Sequence, residues 1–350
     1  MGEVSLYYRP TPNHKEETPM ATILEQQLAD NLKLGEMLVH HELAVVPLFC
    51  NVAGGPDYIT LKEALADGTL TIGEVSQGGS VPELKVINAG SRHVLLIDGE
   101  ELAGAKQNRV LNTTILVAAG ASALIPVSCT EQGRWSYRTA NFEDSNVCMS
   151  PSLRSRKNAS VSCSLGESRG FRSDQGEVWE SIEELHSSHR TSSGTGAMKD
   201  AYEARREEHG SYLEAFPCQE GQCGMAVLIK GRVAGVELVS RPQAYSQLHA
   251  KLLQSYAMDI PQARPGQSGP ALVKLQKILE RMRSAEEQRF PSVGLGEDCR
   301  YTAKGLLGSA LQVDGWLVHL AFFRSSERSA GNSPNDRMAS LNRRRASRLA

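Results

Sequence analysis

Between Thr69 and Cys129 the chain is written as short apolar runs broken every few residues by turn formers. The runs are TLTIGEV (69–75), LKVIN (84–88), HVLLI (93–97), RVLNTTILVAA (109–119) and ALIPVSC (123–129), with Asn88-Ala89-Gly90, Asp98-Gly99 and Gly120-Ala121 between them. The intervals are too short for helical crossovers, so the pattern predicts an antiparallel sheet or sandwich rather than βαβ units.

Other signals place helices around that sheet. Leucines and isoleucines recur near helical spacing from Ala21 to Val39, which predicts a helix, and Leu43–Phe49 reads as a buried strand with Pro47 marking an edge or bulge. Thr60 followed by Glu63 is a capping box for a short helix ending near Gly68. Helical patterns cover 177–186, 197–216, 243–256 and 271–289. Lys230-Gly231 and Asp314-Gly315 each join two apolar runs as hairpins. The expected class is α+β, a largely antiparallel sheet or sandwich with packed helices in one large domain, 20–323. Residues 1–19 read as a flexible terminus, the Ser-, Asn- and Arg-rich stretch 138–174 as a long surface loop, and 324–350, with seven Arg, as a disordered basic tail. That tail is the one segment that could touch nucleic acid.

Composition narrows the setting. Among 350 residues 40% are hydrophobic and 22% charged, with a formal net charge of −2, so nothing global calls for nucleic acid or an anionic membrane. No apolar run reaches the roughly 20 residues of a membrane span, and MGEVSLYYRP has neither the basic nor the apolar region of a secretory leader. Seven scattered cysteines predict reduced thiols in a cytoplasmic protein. Only Cys218 and Cys223 stand close, without a second pair to complete a zinc site.

Chemistry concentrates in two strings. Asp98 to Arg109 carries Glu100, Glu101, Gln107, Asn108 and Arg109; Ser128 to Trp135 carries Ser128, Cys129, Glu131, Arg134 and Trp135. Strand ends that deliver carboxylates, amides and guanidinium groups into one region suit a polar ligand site. Arg109 and Arg134 offer forks for phosphate or carboxylate. Glu100, Glu101 and Glu131 offer a general acid or base, a metal ligand or a ribose acceptor, and Gln107, Asn108, Ser128 and Trp135 offer positioning and stacking. Cys129 is placed as a nucleophile, provided a base stands beside it. Each has a structural counterpart: Arg109 can pair with Glu100 or Glu101 across a hairpin, Glu131 with Arg134 across one turn, and Cys129 and Trp135 can be core. SSGTGAMK (192–199) reads as an anion cradle or as a plain helix cap on Thr195.

SVPELKVIN, LLIDGEELAGAKQNRVLN and IPVSCTEQGRW together resemble the ARG- and rhodanese-phosphatase-superfamily-associated protein domain family. The resemblance runs from about Leu43 to Tyr256 and takes in QGEVWESIEEL (175–185). Thr130 stands where that pattern has Val. The resemblance implies a place in NAD or ADP-ribose metabolism, as a ligand-binding or hydrolytic domain with a small-molecule nucleotide as partner; it names no cofactor. The alternative is a non-enzymatic interaction or scaffold module whose polar cluster is structural.

Overall fold

The computed structural model describes residues 31–50, 54–76, 82–260 and 272–325, together with Leu24. Both hairpin signals fold as written. Lys230 and Gly231 have φ of 50° and 68°, and Asp314 and Gly315 have 51° and 78°, the left-handed pair that a two-residue hairpin turn demands. These hairpins build a nine-stranded sheet with strands from the N-terminal third. Its N-terminal strands are β1 (Leu32–Leu34), β2 (Leu38–His40) and β3 (Leu43–Cys50). β3 pairs with β13 (Gly224–Ile229), then follow β14 (Arg232–Val239), β18 (Trp316–Arg324), β17 (Leu306–Val313), β16 (Glu297–Ala303) and β15 (Glu286–Pro291). Pro47 falls where β3 passes from one short partner to the other, its carbonyl accepting from Gly35 N at 2.8 Å.

The strand run that dominates the sequence forms a second, curled sheet, a half-barrel. Its order is β12 (Phe142–Cys148), β8 (Glu100–Gly104), β9 (Arg109–Leu111), β11 (Ser122–Cys129), β6 (Glu83–Asn88) and β5 (Leu70–Glu74). Leu70, Ile72, Leu84, Val86, Leu102, Leu111, Ile125, Val127 and Phe142 fill it, the inward set that a two-residue period selects. RVLNTTILVAA is not one strand. It breaks at Asn112-Thr113-Thr114, and β10 (Ile115–Val117) crosses to a three-stranded sheet with β7 (His93–Leu96) and β4 (Tyr58–Thr60), the last pair parallel. The capping box is present: Thr60 accepts from Glu63 N while Glu63 accepts from Thr60 N at 2.8 Å, starting α1 (Leu61–Ala66).

Four expectations are corrected. The stretch 138–174 is not a surface loop: it holds β12 and the helix α2 (Pro151–Gly166), which buries Arg154, Ser155, Lys157 and Asn158. Its inward face mixes Arg154, Lys157 and Asn158 with Leu153, Val161 and Leu165, so it lacks the continuous apolar stripe by which a core helix is read. Of the helix expected over 21–39, Leu24 is helical, but 32–34 and 38–40 are strands; Gly35 allows the doubling back, since a Cβ there would lie 2.9 Å from the Phe49 ring. The helix expected to reach 289 ends at Arg283, and 286–291 form the edge strand β15. The cysteines are not all free thiols. Cys50 and Cys223, brought together by the β3–β13 pairing, form a disulfide with Cα atoms 6.3 Å apart. The flexible terminus and the basic tail after Ser325 lie outside the described residues. No helix among the described residues is long and apolar enough to cross a membrane.

The remaining helices are α3 (Gln175–His189), α4 (Met198–Glu203), α5 (Arg206–Ala215), α6 (Pro242–Ala257) and α7 (Leu272–Arg283). α6 is the broadest contributor to the main core, burying Tyr245, Leu248, Leu252, Leu253 and Tyr256 against all three sheets.

Gly224 begins β13 with no room for a side chain: an added Cβ would sit on the Glu237 carbonyl oxygen of β14. Gly224→Ala should therefore cost about 3 kcal/mol or more, read as a lower urea midpoint with an unchanged slope. Gly305→Ala, at φ 74° in open space, should cost only about 1–2 kcal/mol.

Candidate functional site at the mouth of the half-barrel

Arg109 and Cys129 are register partners on β9 and β11. They point into the half-barrel because Leu111 and Val127, two residues away, do so. Arg109 is fully buried. Its Nη1 donates to Cys129 Sγ at 3.0 Å and to Gln107 Oε1 at 2.8 Å. Its Nη2 stands 4.0 Å from Glu74 Oε1 on β5. Arg109 Nε and Nη2 and both Glu74 carboxylate oxygens have no hydrogen-bond partner. Trp135 stands over this group, its ring centroid 5.6 Å from the guanidinium carbon, and is 49% exposed. Lys106 Nζ lies 5.3 Å from the Trp135 centroid and 5.2 Å from that of Tyr137. Gln107, Arg109, Cys129 and Trp135, singled out by sequence, thus come together with Glu74, which was not. Glu74 closes a strand that reads only as scaffold, and only the curl of the sheet brings β5 round to β9.

Cys129 has its backbone clamped by Gln175, which accepts from its N–H at 2.7 Å and donates to its carbonyl at 2.9 Å. Burial pushes the thiol pKa up, outweighing the pull of Arg109. Its side-chain neighbour is a guanidinium, not the imidazole base a nucleophilic thiol needs.

Arg134 and Glu131 form a separate, self-satisfied knot. Arg134 Nη2 is 2.6 Å from Glu131 Oε2, and Nε donates to the same oxygen at 2.8 Å. Nη1 donates to the carbonyls of Ala105 (2.7 Å) and Ser136 (2.8 Å), and Nη2 reaches Gly104 O and Asn108 Oδ1, each at 3.2 Å. Glu131 also accepts from Asn108 N (3.2 Å) and Thr195 Oγ1 (2.9 Å). Thr195 is therefore spent on Glu131 and does not cap α4, whose N-cap is Ala197. Every donor of Arg134 is engaged, so a phosphate there would have to break the knot. Burial opposes the Glu131 charge, but Arg134 and Thr195 overcome it and hold its pKa below the ordinary value.

Glu100 and Glu101 are adjacent on β8 and so face opposite ways. Glu100 accepts from Ile97 N at 2.8 Å and pairs at 2.8 Å with Lys251, which also holds Asp144 at 2.7 Å. Glu101 lies on the Val110 side, away from Arg109, so the cross-hairpin pair with Arg109 does not form. It accepts from Thr130 Oγ1 at 2.6 Å, and its Oε2 has no hydrogen-bond partner. Ser128 donates to Asn112 Oδ1 at 2.7 Å and meets Ser173, on the other face of β11 from Cys129.

The densest group of charges was not found from sequence. Asp98 receives Lys157, Arg154 Nε (3.4 Å) and Asn158 Nδ2 (3.1 Å). Arg154 Nη1 goes on to Glu237 on β14, whose Oε2 stands 3.6 Å from His319 Nε2 on β18. Arg300 binds Asp298 at 2.5 Å and Thr113 at 2.9 Å. The legible signal was a charged or imidazole residue inside an apolar run: Glu237 in RVAGVELV, His319 in WLVHLAFF. Among the described residues no group of three or more His, Cys, Asp or Glu is placed to hold a metal ion.

With this geometry in view, the comparison with known families finds the ARG and Rhodanese-Phosphatase-superfamily-associated Protein domain over residues 31–323. The chain belongs to that family. The match takes in all three sheets, from β1 to nearly the end of β18. Neither a curated protein nor a solved structure matches.

Burial drives the Glu101 pKa up to about 7, against the hydrogen bond from Thr130. A carboxyl raised in the folded state favours folding below its unfolded value near 4.5 and opposes it increasingly as pH rises towards 7. Glu101→Gln should therefore leave stability little changed at pH 4.5 and raise it by up to about 3 kcal/mol at pH 8, measured as urea midpoints across that range. Arg134→Ala, which strands buried Glu131, should cost about 3–5 kcal/mol.

Proposed function

We propose that the half-barrel mouth binds an ADP-ribosyl compound or a related nucleotide. The observation that carries this is the Glu74–Arg109 pair: two buried, oppositely charged groups in one place, each with unpartnered polar atoms, beside a half-exposed aromatic ring. A ribose diol matches such a pair, donating its hydroxyl protons to the carboxylate and accepting from the guanidinium. A base stacks on Trp135, a contact that adds about 1–3 kcal/mol where ring faces meet. Lys106 and the exposed Arg138 line the rim on the side where phosphate charge would lie. For a hydrolytic step, Glu74 is the carboxylate with oxygens left to take a proton from water; Glu131 is committed to Arg134.

A second reading has its own support. Saturation of Arg134 and of Glu100 by internal partners is what a scaffold with a structural polar core would have. The two differ at Arg109 and Trp135. In a thermal-shift and calorimetric series with ADP-ribose, NAD and AMP, the mouth should give a saturable rise in Tm, equivalent to about 2.7 kcal/mol at a hundredfold excess over Kd. Trp135→Ala should weaken binding by about 10- to 100-fold with little change in the unliganded Tm. Arg109→Lys, which loses the fork, should abolish it. No shift with any of the three ligands would refute the binding site and leave the scaffold.

A further inference from the structure

An open groove of about 870 Å³ runs between α2 and α3 on one side and the ends of β13, β14 and β18 on the other. It shares no residue with the half-barrel mouth, and its volume lies within the range of ligand sites. Its floor is apolar: Leu153, Leu185, Ile229, Ala234 and Met258. Arg156 of α2 and two arginines of the sheet, Arg232 and Arg324, stand around it. Register explains the sheet pair. Arg232 and Ala234 are two apart on β14 and share a face. Gly235 pairs with Phe323, which sets Arg324 of β18 beside Ala234 and so on the face of Arg232. Ser155 Oγ donates to the Arg324 carbonyl at 3.2 Å, which ties α2, and Arg156 with it, to the same corner.

The charges of the groove do not balance. Arg156 Nη1 is 2.5 Å from Glu184 Oε2 and 3.1 Å from Ser181 Oγ. Asp259 accepts from the Ser152 N–H at 2.8 Å and from its hydroxyl at 2.7 Å. Both carboxylates of the groove are thereby engaged. Arg232 and Arg324 are exposed and have no carboxylate partner among the described residues. The chain continues from Ser325, itself in the groove wall, and residues 326–350 hold six Arg against Glu327 and Asp336. Those residues add charge of the same sign, so they do not supply the counter-charge. The whole chain carries a net −2, so the positive excess is local.

We propose that this groove docks a short acidic segment of a partner protein, with apolar side chains on the floor and carboxylates against Arg232 and Arg324. Two exposed guanidinium forks on one sheet face suit carboxylates. The apolar floor takes the side chains between them, and Arg is among the residues that carry protein interfaces. Nucleic acid fits less well, since none of the described residues lining the groove is an aromatic on which a base could stack. The inference is independent of what binds at Trp135.

A fluorescein-labelled peptide of alternating glutamate and leucine tests it by fluorescence anisotropy. It should bind the full chain saturably and more weakly as salt rises, and a peptide with lysine in place of glutamate should not bind. Arg232→Glu combined with Arg324→Glu, both at exposed positions, should keep the fold and the nucleotide shifts at the mouth but weaken the peptide by on the order of tenfold or more. Arg232→Gln with Arg324→Gln repeats the test if the reversed pair does not fold. Ile229→Ser, on the floor, should weaken the peptide as well. Absence of binding, unchanged binding in the double variant, or equal binding of the lysine peptide overturns the proposal. So does loss of binding in Arg343→Ala/Arg344→Ala/Arg345→Ala with no loss in the double variant, which makes the tail the site. Displacement of the peptide by a tighter-binding single-stranded oligonucleotide also overturns it, and makes the ligand a nucleic acid.

Discussion

The whole body is organised around Asp98. It sits at the turn between β7 and β8, fully buried, and could not keep its charge there unaided. Lys157 and Arg154 from α2 meet it, and the same Arg154 continues to Glu237 in the nine-stranded sheet. One chain of opposite charges thus runs from the half-barrel through a helix into the larger sheet. Burial opposes the charge on Asp98, yet the cations beside it hold its pKa below the usual carboxylate value, and burial lowers that of Lys157. Such a chain is tolerable only intact: removing one member leaves an uncompensated charge in the interior.

That dependence explains how much of the fold could be read from residues. Hairpins, capping box and the half-barrel strands β5, β6 and β11 are local matters, governed by turn chemistry and a two-residue period. They stand where the pattern puts them. α2 escaped because reading a helix relies on an apolar stripe, and the buried face of PSLRSRKNASVSCSLG mixes Arg154, Lys157 and Asn158 with Leu153, Val161 and Leu165. Polarity there signals partnership with distant strands rather than exposure to water.

The site was legible in the same partial way. Clustering along the chain named Gln107, Arg109, Cys129 and Trp135, which the fold brings together. It overreached at Glu100 and Glu101, whose adjacency on a strand sends them to opposite faces. It also overreached at Arg134, whose donors are spent within a few residues. Glu74 was invisible because only the curl of the sheet brings β5 to β9. Of two arginines that look equivalent in sequence, one has every donor satisfied and the other has two without partners.

The spacing of that ionic chain also bears on how the protein is made. Asp98 waits for Lys157, Arg154 waits for Glu237, and Glu237 meets His319 only when the last strand is in place; β3 likewise has no partner in β13 until some 180 residues later. A nascent chain emerging from the ribosome therefore holds a strand open along one edge and uncompensated charges through most of its synthesis. Non-local pairing of this kind makes folding slow and leaves the incomplete chain open to misassociation. The β17–β18 hairpin is then a closing clasp, and a chain stopped short of it would leave β14 without β18 and Glu237 without His319.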